Sequence, residues 1–240
     1  MHGSRLSSQQ QSRLRTAVDA LMAHCDGLQA HCDRCLQTQR WGGSVVLMLV
    51  DAAFMSIGLN YFTSVVPAVA RYEVQMLSAQ VPGTLNRLAG VNYNDVAPLW
   101  KNHRSWHLAR EVAGHLASQG VDDTTALRAW ATHASLEKWH KDPIGSVRGV
   151  GINTYQYLRM MGGVDTSMPD KIVRRVIAQV LTQAGIDLPT DDDLDLIETI
   201  RTIGHLTRRR PIELCWMTWM IQSEGKTMRM DKYRNLLQRI

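Results

Sequence analysis

The chain lacks any apolar run long enough to span a bilayer. Its best candidate, 45–59, is short and interrupted by Asp51, so it reads as a buried core helix. No secretory signal is expected, and residues Met1 to Ser4 are left out of the fold reading. No stretch of strictly alternating polarity is long enough to argue for a sheet, and no repeat of solenoid period is present. Cysteine is sparse, 4 in 240 residues, and its spacing shows no matched pairs, which argues against a disulfide framework. These absences leave a chain without a membrane span, for which a cytoplasmic, nucleoid-associated location is the expectation.

What is present is an ordinary globular balance, 45% hydrophobic and 20% charged, in a length that holds one large domain or two small ones. The net charge of +5 permits a polyanionic partner without demanding one. Helical periodicity dominates: 6–37, 45–59, 72–77, 100–119, 123–140, 154–161, 171–184, 191–206 and 212–223. These stretches are punctuated by Pro82-Gly83, Gly90, Pro98, Gly120, Asp142-Pro143, Gly162-Gly163 and Pro189. The fold class expected is all-α.

The segment 144–176 carries the chemistry. A short apolar turn, Ile144 to Val147, leads into Gly149-Val150-Gly151, and a helical stretch follows from Asn153. Two glycines around an apolar residue let the backbone turn tightly and approach another molecule. The amides opening the next helix are then unpaired donors suited to a phosphate. An acid, Asp170, comes 19 residues after Gly151, with Arg175-Val176 behind it. An acid in such a place is most often a helix cap.

This run resembles the helix-hairpin-helix DNA glycosylases. Gly149, Val150, Gly151 and Thr154 match their hairpin, and Asp170, Arg175 and Val176 match the acid and its helix, one residue nearer the hairpin than in the commonest members. Weaker likeness runs from about Val45 to Gly225. The resemblance implies two helical subdomains with the active-site cleft between them: 42–163, ending in the hairpin, and 1–41 plus 164–240. It implies double-stranded DNA with a damaged or modified base as partner, contacts from Gly149, Val150, Gly151, Thr154 and Arg175, and a monomer. Basic clusters at 101–110 (Lys101, His103, Arg104, His107, Arg110), at Arg174-Arg175 and at 208–210 accord with that partner, although each alone reads as a solvated face.

Asp170 is, by the same resemblance, the catalytic carboxylate, placed to stabilise positive charge on the sugar and activate water. Bifunctional members carry a lysine two residues after the last hairpin glycine; here that position is Asn153, which favours single-step hydrolysis to an abasic site. A flipped base needs aromatic walls. Tyr61, Trp100, Trp106, Trp139, Tyr155 and Tyr157 are candidates, with Asp51, Tyr61, Trp139 and Tyr155 assigned to a base pocket. Asp51 inside an apolar helix calls either for a structural partner or for a role as pocket acid. The wedging glutamine of the family has no counterpart, the aligned residue being Ala53.

Cys25, Cys32 and Cys35 copy three ligands of the iron–sulfur loop of some members, but the position of the fourth is Trp41. The three also fall on one seam with Leu14, Val18, Leu21 and Leu28, so buried thiols and no cofactor are expected, with His24, His31 and Cys215 leaving a metal conceivable. The alternatives are a non-catalytic helix-hairpin-helix DNA-binding protein, a bifunctional glycosylase using Lys138, Lys141 or Lys171, and a partner-binding helical protein that dimerises through 6–37.

Overall fold

A computed structural model describes residues 6–78, 83–222 and 238–240. Residues 1–4, Pro82, Ser223 and Gly225, which figure in the sequence reading, lie outside these. Among the described residues there is no strand; the chain is all-helical. The α-helices are α1 (Ser8–Met22), α2 (Leu28–Leu36), α3 (Val45–Met55), α4 (Val66–Ser78), α5 (Leu85–Ala89), α6 (Tyr93–Val96), α7 (His103–Ala117), α8 (Asp123–His133), α9 (Ile152–Met161), α10 (Lys171–Ala184), α11 (Asp193–Thr207) and α12 (Pro211–Met220). Shorter 3-10 pieces occupy Arg40–Gly43 and Trp139–Lys141, and a π-turn occupies Tyr61–Val65.

The expected single helix over 6–37 is two. Helix α1 ends at Met22 and α2 starts at Leu28, with Gly27 at φ +75°, a conformation open to glycine, in the turn just before α2. The apolar seam nevertheless faces inward: Leu14, Val18, Cys25, Leu28, Cys32 and Cys35 are buried and Leu21 is half-buried. The helix expected over 123–140 stops at His133, and α5 and α6 were not foreseen, being too short to show periodicity.

The chain divides into two compact units. The first holds the described residues 6–32 and 165–222. In it α1 packs on α10 and α11, and α12 packs on both of these. Its helices are closed by local chemistry. Ser7 and Gln10 form a reciprocal capping box on α1 (2.9 and 3.2 Å), and Gly185 ends α10 in the left-handed region at φ +66°. Pro211 starts α12, while the Glu213 carboxylate accepts from the Arg210 amide at 3.0 Å.

The second unit holds residues 33–164 and 238–240. Residues 164 and 238–240 thus belong with the middle of the chain, where the sequence reading assigned them to the termini, and so do residues 33–41. The reason is chemical: Arg40 and Trp41 reach the Asp51 carboxylate on α3. Helix α3 is buried on every face from Val45 to Phe54, as a helix apolar all round must be, and α4, α5, α7, α8 and α9 pack around it.

Candidate functional site

The segment expected to form the hairpin, 144–154, lies in the second unit. Between Asp142 and Val150 the backbone runs through turns, so what precedes the glycines is not a helix. Gly149 sits at φ +103°, where an L side chain would be strained, with Leu108 beneath it: a Cβ there would lie 3.6 Å from the Leu108 side chain. Gly151 is different. Its backbone is extended, φ −101°, it is exposed, and a Cβ there would meet no atom within 4 Å. It is the N-cap of α9 and gives that helix no side-chain cap, so the opening amides have no side-chain acceptor at their cap position. Val150 and Thr154 are buried and pack the turn down. The Asn153 Oδ1 atom is buried and has no hydrogen-bond partner.

Asp170 lies in the first unit as N-cap of α10. Its Oδ1 accepts from the amides of Ile172 (2.7 Å) and Val173 (2.9 Å), and its Oδ2 accepts from Trp219 Nε1 (2.8 Å). Burial pushes its carboxyl above the usual aspartate range, and these three donors only partly offset that. The carboxylate is desolvated, oriented and capped at once. Trp219 was missed by the sequence reading; a tryptophan 49 residues away in the chain leaves no local signal. Arg175 is exposed on α10 and donates to Gln222 at 2.7 Å.

Asp51 and Tyr61, assigned to a base pocket from sequence, are fully buried in the second unit. Asp51 Oδ2 accepts from Trp41 Nε1 (2.8 Å), Tyr61 Oη (2.8 Å), Tyr157 Oη (3.0 Å) and Arg40 (3.4 Å). Burial drives the phenols of Tyr61 and Tyr157 well above the usual range despite the adjacent guanidinium. A base could not reach Asp51 or Tyr61 unless the surrounding side chains moved. Asp51 is placed as a shared hydrogen-bond acceptor for four side chains.

Tyr155 is buried as well, its hydroxyl donating to the Ser135 carbonyl at 3.3 Å and its ring meeting Trp130 edge-on at 5.4 Å. Trp139 is half-exposed, 6.0 Å from the Tyr155 ring. Trp106 is core, donating to the Trp100 carbonyl at 2.8 Å, and Trp100 stacks on Phe54 at 4.3 Å. Ala53 is buried and cannot wedge into a duplex. A groove of about 400 Å³ flanks the turn that leads into the hairpin, lined by His115, Gln119, Trp130, His133, Asp142 and Ile144 among others.

All four cysteines are free and buried. Cys25 Sγ donates to the Leu21 carbonyl at 3.5 Å, Cys215 Sγ accepts from the Met168 amide at 3.4 Å, and His31 meets Trp216 edge-on. Among the described residues no group of three or more His, Cys, Asp or Glu side chains could hold a metal ion. Of the basic clusters, Lys101, His103 and Arg104 are exposed around the start of α7, whereas Arg110 donates to the Ala89 carbonyl. Arg174 is engaged by Asp193 and the Thr190 carbonyl; Arg209 pairs with Asp19 and Arg210 with Glu213, leaving Arg208 exposed. No protein-family model, curated protein or solved structure matches the chain.

Proposed function

We propose that the chain is a monofunctional DNA glycosylase of the helix-hairpin-helix type, which extrudes a damaged or modified base from a duplex and hydrolyses its N-glycosidic bond. The observation that carries this reading is the state of Asp170: the acid singled out by the sequence motif is a desolvated, raised-pKa carboxylate held by two backbone amides and an indole. Water attacks the anomeric carbon, the carboxylate stabilises the cationic sugar and takes the water proton, and the base departs with the bond electrons. Gly149 to Gly151 and the open start of α9 hold a phosphate, with Arg175 as a further cationic contact. Trp139, half-exposed, remains the base-stacking candidate.

A second reading has its own support. Both Asp170 oxygens are already engaged within the first unit, as a purely structural cap requires, and this favours a DNA-binding protein without catalysis. One assay separates the two. Single-turnover incubation with duplexes carrying one alkylated, oxidised, deaminated or enzymatically modified base each is expected to release base from at least one, and Asp170→Asn to release none. Binding without release from any duplex selects the second reading.

A further inference from the structure

The lead-in to the hairpin is a turn with little regular structure of its own, yet it is pinned at one carboxylate. Asp142 Oδ1 accepts from the amides of Ile144 (2.9 Å) and Gly145 (3.4 Å) and from Trp130 Nε1 on α8 (3.1 Å). The Asp142 carbonyl accepts from the Ser146 amide at 2.8 Å. Two further turns follow in register, Val147 N to Ile144 O at 3.1 Å and Val150 N to Val147 O at 3.0 Å, and these deliver the chain to Gly151. Gly145 has no latitude, since a Cβ there would collide with the Trp139 carbonyl. Trp130, the indole that fixes the carboxylate, also packs edge-on against Tyr155 of α9 at 5.4 Å. One acid therefore joins α8, the turn and, through the indole, the helix that the hairpin opens.

We infer that Asp142 is the positioning residue of the hairpin: its Oδ1 sets the register of residues 144–150 on α8, and so fixes how the amides at the start of α9 are presented. A helix would supply that rigidity by its own ladder; this turn lacks one and takes it from a side-chain acceptor. The requirement is for an acceptor oxygen rather than for a charge: both turn amides converge on Oδ1, and the indole, which also lies 3.3 Å from Oδ2, makes its shorter contact to that same Oδ1 atom. Asparagine can keep that oxygen, and alanine cannot.

The part of this inference that concerns DNA rests on the glycosylase reading; the part that concerns the turn does not. Amide hydrogen exchange of the full chain, measured for wild type, Asp142→Asn and Asp142→Ala, tests the turn. Alanine is expected to speed exchange across 143–150 by about tenfold or more, the size of the two or three hydrogen bonds lost with the acceptor, with α3 and α7 unchanged and asparagine close to wild type. Duplex affinity should follow the same order, about tenfold weaker for alanine and within about threefold for asparagine, while the single-turnover rate at saturating DNA stays within about threefold.

Trp130→Phe keeps an aromatic side chain and removes the indole donor together with one ring of the bicycle, so it serves if alanine at 142 does not fold; it should speed exchange over the same residues to a smaller degree. Exchange that rises throughout the chain, or stays at wild-type rates in both variants, overturns the inference. Exchange as expected in a protein that binds no duplex keeps the positioning role and rejects the glycosylase reading.

Discussion

Tyr157 Oη donates to Asp51 Oδ2 at 3.0 Å, a bond between α9, the helix opened by the hairpin, and the fully buried α3. Tyr61, Trp41 and Arg40 converge on the same oxygen, so one carboxylate collects the connection before α3, α3 itself, the π-turn and α9. A cluster of this kind is costly to bury and tolerable only when its donors are supplied together. It secures α9 through Tyr157, six positions after the exposed Gly151.

Loss of either side of this cluster should differ in size. Tyr157→Phe removes one of several donors and is expected to cost about 1 kcal/mol of unfolding free energy. Asp51→Ala leaves the Arg40 guanidinium buried without its carboxylate and is expected to cost about 3–5 kcal/mol. Urea unfolding of the two variants checks the order. Equal costs would mean that the guanidinium finds another acceptor.

Asp170 gives a prediction in pH. Its folded pKa is raised by burial, so the protonated form is favoured by folding; its contribution to stability is full below the ordinary aspartate range and is lost as pH rises through the folded value. In the proposed chemistry the ionised form acts, so the dependence of catalysis on pH runs the other way. The single-turnover rate should fall on acidification with a midpoint above the ordinary aspartate range. Asp170→Asn should abolish excision and leave duplex affinity within a few fold or tighter. A rate flat down to pH 4 would remove Asp170 from the chemistry.

The two hairpin glycines should part company. Gly149→Ala imposes strain at φ +103° and should cost stability and affinity together. Gly151→Ala meets no neighbour in the chain, so its unfolding midpoint should match wild type while affinity for all duplexes falls alike and remains steeply salt-dependent. Loss confined to one lesion or one sequence would show that the turn reads a base.

The thiols offer a test of burial. Cys35 is pushed up to about 12 by desolvation, with Arg40 opposing and Asp51 adding to the rise, and the other three are buried too. Native protein at pH 8 should react with a disulfide reagent at none of its 4 cysteines on the timescale that labels all 4 in denaturant. Anaerobically purified protein should be colourless. Stoichiometric iron with visible absorption would reassign Cys25, Cys32 and Cys35.

Legibility in the sequence followed the range of the interactions. The bounds of α10 could be read because a cap, Asp170, and a left-handed stop, Gly185, lie at its two ends in the chain. The buried character of 45–54 was equally plain from composition. What escaped were contacts across the chain: Trp219 on Asp170, and Tyr61 and Tyr157 on Asp51, whose aromatic rings looked like base-stacking surface until their hydroxyls were seen to be spent on a carboxylate. Asp142 was read as punctuation because an Asp-Pro pair signals a turn whether or not its carboxylate also binds an indole from α8.

Bifunctional members of the family that the 144–176 segment resembles carry a lysine where this chain has Asn153. Asn153 is in the first turn of α9, and its Oδ1 is buried without a hydrogen-bond partner. An amide is not a nucleophile toward the sugar, so the proposed function takes water as the nucleophile. Its products should be a free base and an intact strand with an abasic site, cut only after alkali or heat. Borohydride should trap little covalent complex, because no imine forms. Asn153→Lys is expected to recover some trapping, since partial burial at this position would lower the amine's pKa and free its lone pair. The wild-type result decides: efficient trapping by the unaltered protein would mean that Lys138, Lys141 or Lys171, all three exposed, supplies the amine and that the single-step assignment is wrong.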